Sequence, residues 1–288
     1  MLNEDQAFAL LKRRLFIDRG LDCEQYKEKY LKRRIAVRLR AKNCRNYLEY
    51  LRVLRVDPEE YTQLLNQLTV NVTQFFRDKD VYDKIRDNVI PSMLESKGSV
   101  GSRSVRVWCA GCASGEEPYS TAMLLDQVIG RDIDNWNIRI LGSDIDDRSL
   151  EVAREGVYPQ MDLLEGMDPE KYFEKLETSN GIVYKVSGHV RRRVKFEKLN
   201  LFEIEGRRHY DIVMCRNVLI YFSRDVQASI IEIIASSIMR DGYIVLGKSE
   251  TLGLEASGFF RAAFPRERIY QRVPGTVRLG IAKGAAGG

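Results

Sequence analysis

The stretch 105–120, Val-Arg-Val-Trp-Cys-Ala-Gly-Cys-Ala-Ser-Gly-Glu-Glu-Pro-Tyr-Ser, restricts the fold of this chain more than any other. Val105, Val107 and Trp108 favour an extended strand, because branched and aromatic side chains pack well on a pleated surface. Residues 110–115 are small enough for a ligand to press against the backbone. Pro118 suits a first helical turn, where the N–H it lacks would find no partner. Ala122, Leu125 and Ile129 then recur at helical spacing up to Gly130. Strand, tight turn and helix start in this order form the first unit of a nucleotide-binding α/β sheet.

The alternation continues. Residues 137–143 read as a second strand tipped by Asp144, and 149–155 as a short helix. An acidic residue at that tip can accept both hydroxyls of a ribose. The competing role, capping the next helix, suits Asp147 better. A third strand, 194–199, ends at Asn200 and Leu201, and a fourth, 210–214, runs into Cys215-Arg-Asn-Val-Leu-Ile-Tyr-Phe222. Ser223 is placed to cap a helix to about 239, followed by strands at 242–247 and 266–273. Between the second and third strands, 181–186 and 189–194 flank Ser187-Gly188 and predict a β-hairpin, a small antiparallel insertion at about 178–194. Its open edge suits a partner peptide, while Arg191, Arg192 and Arg193 equally suit protection against edge pairing. The Gly/Ala-rich 274–288 reads as a disordered tail.

The first 70 residues predict a separate all-helical domain. Asn3 and Gln6 have capping-box spacing ahead of Phe8, Leu11 and Leu15, with Gly20 as a stop. A second helix is expected from near Asp22, with Tyr26, Tyr30, Ile35 and Val37 on its apolar side and some combination of Lys27, Lys32, Arg34, Arg38 and Arg45 outward. Two more follow, at 47–54 and after Asp57-Pro58. Between Lys27 and Arg45 there are nine Lys or Arg against the single Glu28, a local excess that points to an acidic partner. Its tyrosines fall on the apolar side, which leaves no aromatic platform for stacking bases. Residues 71–104 read as a linker with a helix at 81–94. In it, Asn71 and Thr73 offer hydrogen bonds, Phe75 and Phe76 an anchor, and Arg77 a planar fork for a carboxylate.

No apolar run reaches the length of a membrane span, and the N-terminus lacks the basic start and apolar core of a signal peptide, so a cytoplasmic protein is expected. The five cysteines are scattered and odd in number, against a disulfide framework. Cys109 and Cys112 form a lone C-x-x-C at the strand-to-turn junction and are read as small buried thiols, not half of a metal site. No metal is expected.

The turn 110–115 is not G-x-G-x-x-G, and the helix after it opens with Glu116-Glu117. Carboxylates there repel a pyrophosphate but suit the ammonium of a methionine moiety, which favours S-adenosylmethionine over a dinucleotide. Four motifs, Asn71-Val-Thr-Gln-Phe-Phe-Arg-Asp78, Trp108-Cys-Ala-Gly-Cys-Ala-Ser-Gly-Glu-Glu-Pro-Tyr-Ser120, Ser143-Asp-Ile-Asp146 and Cys215-Arg-Asn-Val-Leu-Ile-Tyr-Phe222, resemble in sequence and order the signatures of the CheR chemoreceptor glutamate methyltransferases. The resemblance implies a Rossmann-like methyltransferase sheet at 105–273 and an N-terminal helical domain that docks receptors. It implies that Asn71, Thr73 and Arg77 reach the cofactor, Glu117 its amino group, Asp144 the ribose and Asn200 with Leu201 the adenine, with Asn217 and Val218 alongside and Tyr221 close by. One departure is the pair Cys109 and Cys112, where smaller residues are common.

The same resemblance implies methyl transfer to a receptor glutamate, leaving S-adenosylhomocysteine. An acceptor already ionised at neutral pH requires no general base. Arg77 and Tyr221 are then the expected catalytic residues, Arg77 orienting the acceptor carboxylate and Tyr221 shaping the site. The basic helix 27–45 would meet the receptor's methylation helices, and the hairpin a receptor peptide. A monomer that neither binds nucleic acid nor enters a membrane is expected. Two alternatives stand beside this. A nucleic-acid methyltransferase would often carry a proline pair after the fourth strand, where Arg216-Asn-Val-Leu stands. A non-catalytic module sensing S-adenosylmethionine or scaffolding a receptor array would have no use for Arg77 beside Glu117 and Asp144.

Overall fold

The computed structural model describes residues 3–19, 21–68, 73–202 and 209–273. Asn71 and the predicted tail 274–288 lie outside the described residues. Four helices come first: α1 (Glu4–Arg19), α2 (Glu28–Ala41), α3 (Tyr47–Val56) and α4 (Pro58–Leu68). The capping box forms reciprocally, with the Gln6 N–H 2.8 Å from Asn3 Oδ1 and the Asn3 N–H 3.0 Å from Gln6 Oε1. Phe8, Leu11 and Leu15 join Leu31, Ile35, Tyr50, Leu54 and Leu64 in a core that these helices share.

Helix α2 departs from expectation in three ways. It begins at Glu28, because Asp22 instead caps a single turn, Cys23–Gln25, by accepting from the Glu24 N–H. Val37 faces solvent. Arg38 turns inward: its Nε and Nη2 reach Glu60 Oε1 and Oε2 at 2.9 and 2.5 Å, and Tyr50 donates to the same carboxylate at 2.7 Å. A carboxylate as fully buried as Glu60 needs such partners, and this demand takes Arg38 off the exposed face.

A helical segment made of α5 (Lys79–Lys84), a π-type turn at Ile85–Val89 and α6 (Ile90–Ser99) leads into the main sheet. The elements that follow are β1 (Ser104–Ala110), α7 (Glu116–Ile129), β2 (Asn137–Asp144) and α8 (Asp147–Glu155). Next come β3 (Val157–Tyr158), α9 (Pro169–Tyr172), β4 (Phe173–Thr178), β5 (Gly181–Val186) and α10 (Gly188–Arg191). The chain continues with β6 (Val194–Lys198), β7 (Tyr210–Cys215), α11 (Arg224–Ser237), β8 (Ile238–Leu246), β9 (Phe260–Phe264) and β10 (Ile269–Arg272). The seven-stranded sheet has the order β6-β2-β1-β7-β8-β10-β9. Strands β6 to β8 pair in parallel and the last two antiparallel. Strand β1 is near-continuously buried because its residues divide between two cores. Val105, Val107 and Cys109 pack with α5 to α7, while Trp108 and Ala110 pack with Ile230, Ile231 and Ile234 of α11. Connections from β1 run outward on one side through β2 and β6, and those from β7 on the other through β8. The switch point, where such sheets bind ligands, therefore lies beyond the C-terminal ends of β1 and β7.

The insertion is present, but its pairing differs from the predicted hairpin. Strands β4 and β5 pair through a turn at 179–180, and β3 flanks β5 on its other side. Residues Gly188–Arg191 form a helical turn, and Val194 already belongs to the main sheet. The arginines explain this: Arg191 donates to the Arg154 carbonyl, and the buried Arg193 reaches Asp134 at 2.9 Å, so both are consumed in packing. Strand β9 was not foreseen. The residue that caps α8 is Asp146, not Asp147, and the Ser223 side chain makes no capping bond.

Candidate active site

The turn after β1 is tied to β2 by the Gly111 and Cys112 N–H groups, which both donate to the Ser143 carbonyl at 2.8 and 2.9 Å. Its small residues serve the protein's own packing. Gly111 has φ +71°, and a Cβ there would stand 2.5 Å from Val218 Cγ2; at Gly115, φ +95°, one would stand 2.7 Å from the Ala153 Cβ. Ala113 adopts φ +47°, and its N–H donates to Asp144 Oδ2 at 2.8 Å. Asp144 Oδ1 accepts from the Asp146 N–H at 3.0 Å. Burial pushes the Asp144 carboxyl above the ordinary carboxylate range, while these backbone donors pull it back.

Two clefts flank this turn. One is lined by Asp144, Ile145, Leu199, Asn200, Leu201 and Phe202, with Leu21, Asp22, Gln25 and Tyr26 closing over it from the helical region. The other is lined by Thr73, Gln74, Arg77, Tyr82, Cys112, Glu117, Arg216 and Ile220. Gly111, Ala113, Asn217 and Tyr221 border both, so the two clefts meet. The structure thus brings together every expected site residue that it describes: Thr73, Arg77, Glu117, Asp144, Asn200, Leu201, Asn217, Val218 and Tyr221.

The segment carrying Arg77 is pinned from both sides. The Phe75 ring stands edge-on to Tyr158 and Phe173 at 4.9 and 5.0 Å, and the Phe76 N–H donates to Ser120 Oγ at 3.0 Å. Phe76 and Asp78 have φ of +48° and +60°, and Asn217 has +60°. Ala113 and Asn217 line both clefts, while Phe76 and Asp78 flank the cleft residue Arg77 in sequence. Asn217 is held by Glu250, whose Oε2 accepts from the Asn217 N–H at 2.8 Å.

Arg216, Glu250 and the residues 21–26 were not anticipated. Arg216 stands inside the fourth quoted motif, so its position was visible while its task was not. Glu250 follows Lys248-Ser249, a stretch without a distinctive pattern. The residues 21–26 reach the cleft through a tertiary clasp. The Lys27 N–H donates to the Tyr221 carbonyl at 2.9 Å, Lys27 Nζ to the Ile220 carbonyl at 2.7 Å, and the Ser223 N–H to the Gln25 carbonyl at 3.2 Å. Lys27 is therefore part of this clasp, not only of the exposed basic side.

Burial pushes the thiols of Cys109, Cys112 and Cys215 well above their ordinary pKa, so they are neutral and unreactive at neutral pH. Among the described residues no group of His, Cys, Asp or Glu is arranged to hold a metal ion. No described helix is long and apolar enough to cross a membrane.

This arrangement suits S-adenosylmethionine. Each Asp144 oxygen keeps a lone pair beyond the bond it accepts, which fits two vicinal hydroxyls. The leucine-lined wall fits a planar base, and Glu117 lies one cleft further on for an ammonium. A mostly parallel sheet with such a crevice at its switch point matches the class of S-adenosylmethionine-dependent methyltransferases. Comparison with known proteins identifies which kind. Residues 71–268 match the CheR methyltransferase SAM binding domain and residues 6–69 the CheR methyltransferase all-alpha domain, so the chain belongs to the CheR methyltransferase family. A chemotaxis protein methyltransferase of Listeria monocytogenes is 32% identical over 236 residues, 82% of this chain and 86% of that protein. One from Borreliella burgdorferi is 29% identical over 239 residues, 81% and 83% of the two chains. Chemotaxis protein methyltransferase 2 of Pseudomonas aeruginosa is 31% identical over 250 residues, 84% and 85%.

Proposed function

We propose that the protein methylates specific glutamate side chains of chemotaxis receptors in the cytoplasm, forming methyl esters and acting as a monomer. The observation that carries this reading is the placement of Arg77 and Tyr221 together on the Glu117 side of the crevice, where an incoming carboxylate would lie. The names of the relatives, chemotaxis protein methyltransferases, support the pathway. S-adenosylmethionine supplies an activated methyl group and leaves as S-adenosylhomocysteine. Asp144 holds the ribose, Asn200 and Leu201 the adenine, and Glu117 the ammonium, with Asn71, Thr73, Asn217 and Val218 along the cofactor. Arg77 orients the acceptor carboxylate, ionised at neutral pH, without binding it so tightly that its nucleophilicity is quenched. Tyr221, its ring 4.9 Å from that of Tyr30 and tilted 43° to it, shapes the approach. Alignment of this kind is worth up to roughly 7–11 kcal/mol in favourable systems.

Substrate choice belongs to other surfaces. Lys29, Arg33 and Arg40 of α2 are exposed, and acidic methylation helices would dock on them. The edge strand β4 of the small sheet offers an open ladder to an extended receptor peptide. The domain division proposed is 1–70 for docking, 71–104 as the linking segment and 105–273 for methyl transfer. Incubation with radiolabelled S-adenosylmethionine and a receptor signalling domain should give alkali-labile methyl esters on the receptor. Label retained on RNA or DNA instead would overturn the proposal.

A further inference from the structure

Arg216 has no part in the roles assigned so far, yet it is the cation set deepest in the crevice, with its side chain only 2% exposed. A guanidinium so placed requires anionic partners, and it finds them on two separate segments. Nη1 reaches Glu117 Oε2 on α7 at 3.3 Å. Nη2 reaches Asp78 Oδ2 at 2.6 Å and donates to the Arg77 carbonyl at 2.8 Å. The Tyr82 ring lies 5.5 Å from the guanidinium carbon, and both the Arg216 Nε and the Tyr82 hydroxyl are buried without a hydrogen-bond partner. Asp78 adopts the left-handed φ of +60°, and its carboxylate is tied to Arg216 there.

We propose that Arg216 is a positioning residue that couples the two halves of the site, supporting Glu117 as the carboxylate that receives the donor's ammonium and fixing the turn that presents Arg77. The inference rests on the assignment of Glu117 made above. Burial pushes the Glu117 carboxyl up, and Arg216 is the main influence pulling it down, with Arg77 adding to it and Glu250 opposing. The other ionisable groups facing Glu117 are Tyr82, Cys109, Cys112 and Cys215, which burial keeps neutral. None can replace the lost cation. Without Arg216 the carboxyl holds its proton to a higher pH, and a neutral acid is a poorer acceptor for an ammonium. Donor binding is therefore lost as pH falls through the Glu117 pKa, and that point moves upward in the variant.

The test is calorimetric titration of the full chain with S-adenosylhomocysteine and with methylthioadenosine, which lacks the amino-acid portion, between about pH 6 and about pH 8. Arg216→Met should bind S-adenosylhomocysteine about 10- to 100-fold more weakly near neutral pH. The deficit should shrink as pH rises, while methylthioadenosine changes by less than about threefold. Arg216→Lys restores a charge beside Glu117 and should return the pH profile toward wild type. Its kcat should stay at least about tenfold down, because one ammonium cannot span both segments. Equal weakening of both ligands by Arg216→Met, an unshifted pH profile, or a Lys variant no better than Met overturns the proposal. Should Arg216→Met fail to fold, the Lys variant decides, and a wild-type kcat in it is the refuting result. Glu117→Gln separates the two readings. If it binds S-adenosylhomocysteine as tightly as wild type, the Glu117 assignment is wrong; if it is weak while Arg216→Met is normal, only the coupling is wrong.

Discussion

Replacing Asp144 by Asn alters one atom at the tip of β2 and tests the donor site directly. Each carboxylate oxygen already accepts one backbone N–H, from Ala113 at 2.8 Å and Asp146 at 3.0 Å. An ionised carboxylate has about four lone-pair sites, which leaves two for the paired hydroxyls of a ribose. Asn keeps one oxygen and no charge, so whichever way the amide turns, its NH₂ meets a backbone donor, one hydroxyl loses its acceptor and the other keeps only a neutral one. At about 1.5–3 kcal/mol for a hydrogen bond to a charged group, the donor Kd should rise about 10- to 150-fold. Titration with S-adenosylhomocysteine and its 2′-deoxy analogue completes a double-mutant cycle. The analogue should lose less in the variant, and fully additive losses would refute the ribose contact.

Stability gives an independent check on the same residue. Burial raises the Asp144 carboxyl, and the Asp146 and Ala113 N–H groups only partly offset this. A carboxyl raised in the folded state favours folding below its unfolded pKa of about 3.9, and that contribution disappears as pH rises through the folded value. At neutral pH the buried charge is a burden that Asn removes, while the amide strands one N–H. The two effects oppose each other. The Tm without donor should therefore move little while donor affinity falls steeply. A large drop in Tm with unchanged affinity would mean that Asp144 only braces the turn.

Arg77→Ala should lower kcat about 100-fold, the scale of a misplaced reactant, and a variant with wild-type rate and wild-type donor affinity rules out its positioning role. Lys29→Glu with Arg33→Glu should raise the receptor KM at low salt, with the difference shrinking as ionic strength passes about 0.15 M, where screening acts over about 8 Å; identical kinetics across a salt series count against docking by α2. Arg38→Met leaves the buried Glu60 with Tyr50 and Lys42 only and should cost about 2–4 kcal/mol in chemical denaturation. Burial pushes the Glu60 carboxyl up, but the bonds from Arg38 and Tyr50 outweigh it and hold the carboxyl below its usual range. That stabilisation is present above about pH 4.3 and fades as pH falls through the lower folded value, so the variant's stability should depend less on pH on the acid side.

What could be read ahead of the fold followed the range of the interactions. Asn3 and Gln6 cap α1 as their three-residue spacing requires, since both bonds are local. The strand, turn and helix at 104–129 and the acid at the tip of β2 also obey short-range rules, and their order sets which ends of the sheet carry the site. The β-insertion shows the limit. Ser187-Gly188 could open a hairpin or a helical turn on local grounds, and only the pairing of β4 with β5 and the burial of Arg193 against Asp134 select the helical turn.

The sequence by itself determined a helical N-terminal region, a nucleotide-binding sheet and the chemical types grouped around Arg77, Glu117, Asp144 and Tyr221. Tertiary structure alone decided that Arg38 leaves the basic face to neutralise Glu60, and that Lys27 clasps the loop at 220–221. It also decided that Arg216 stands between Asp78 and Glu117, partners 138 and 99 residues away along the chain. The physical reason is the same in each case. A buried charge must be met by whatever opposite charge or dipole the fold brings within about 3 Å, and no spacing rule in the chain records which one that is.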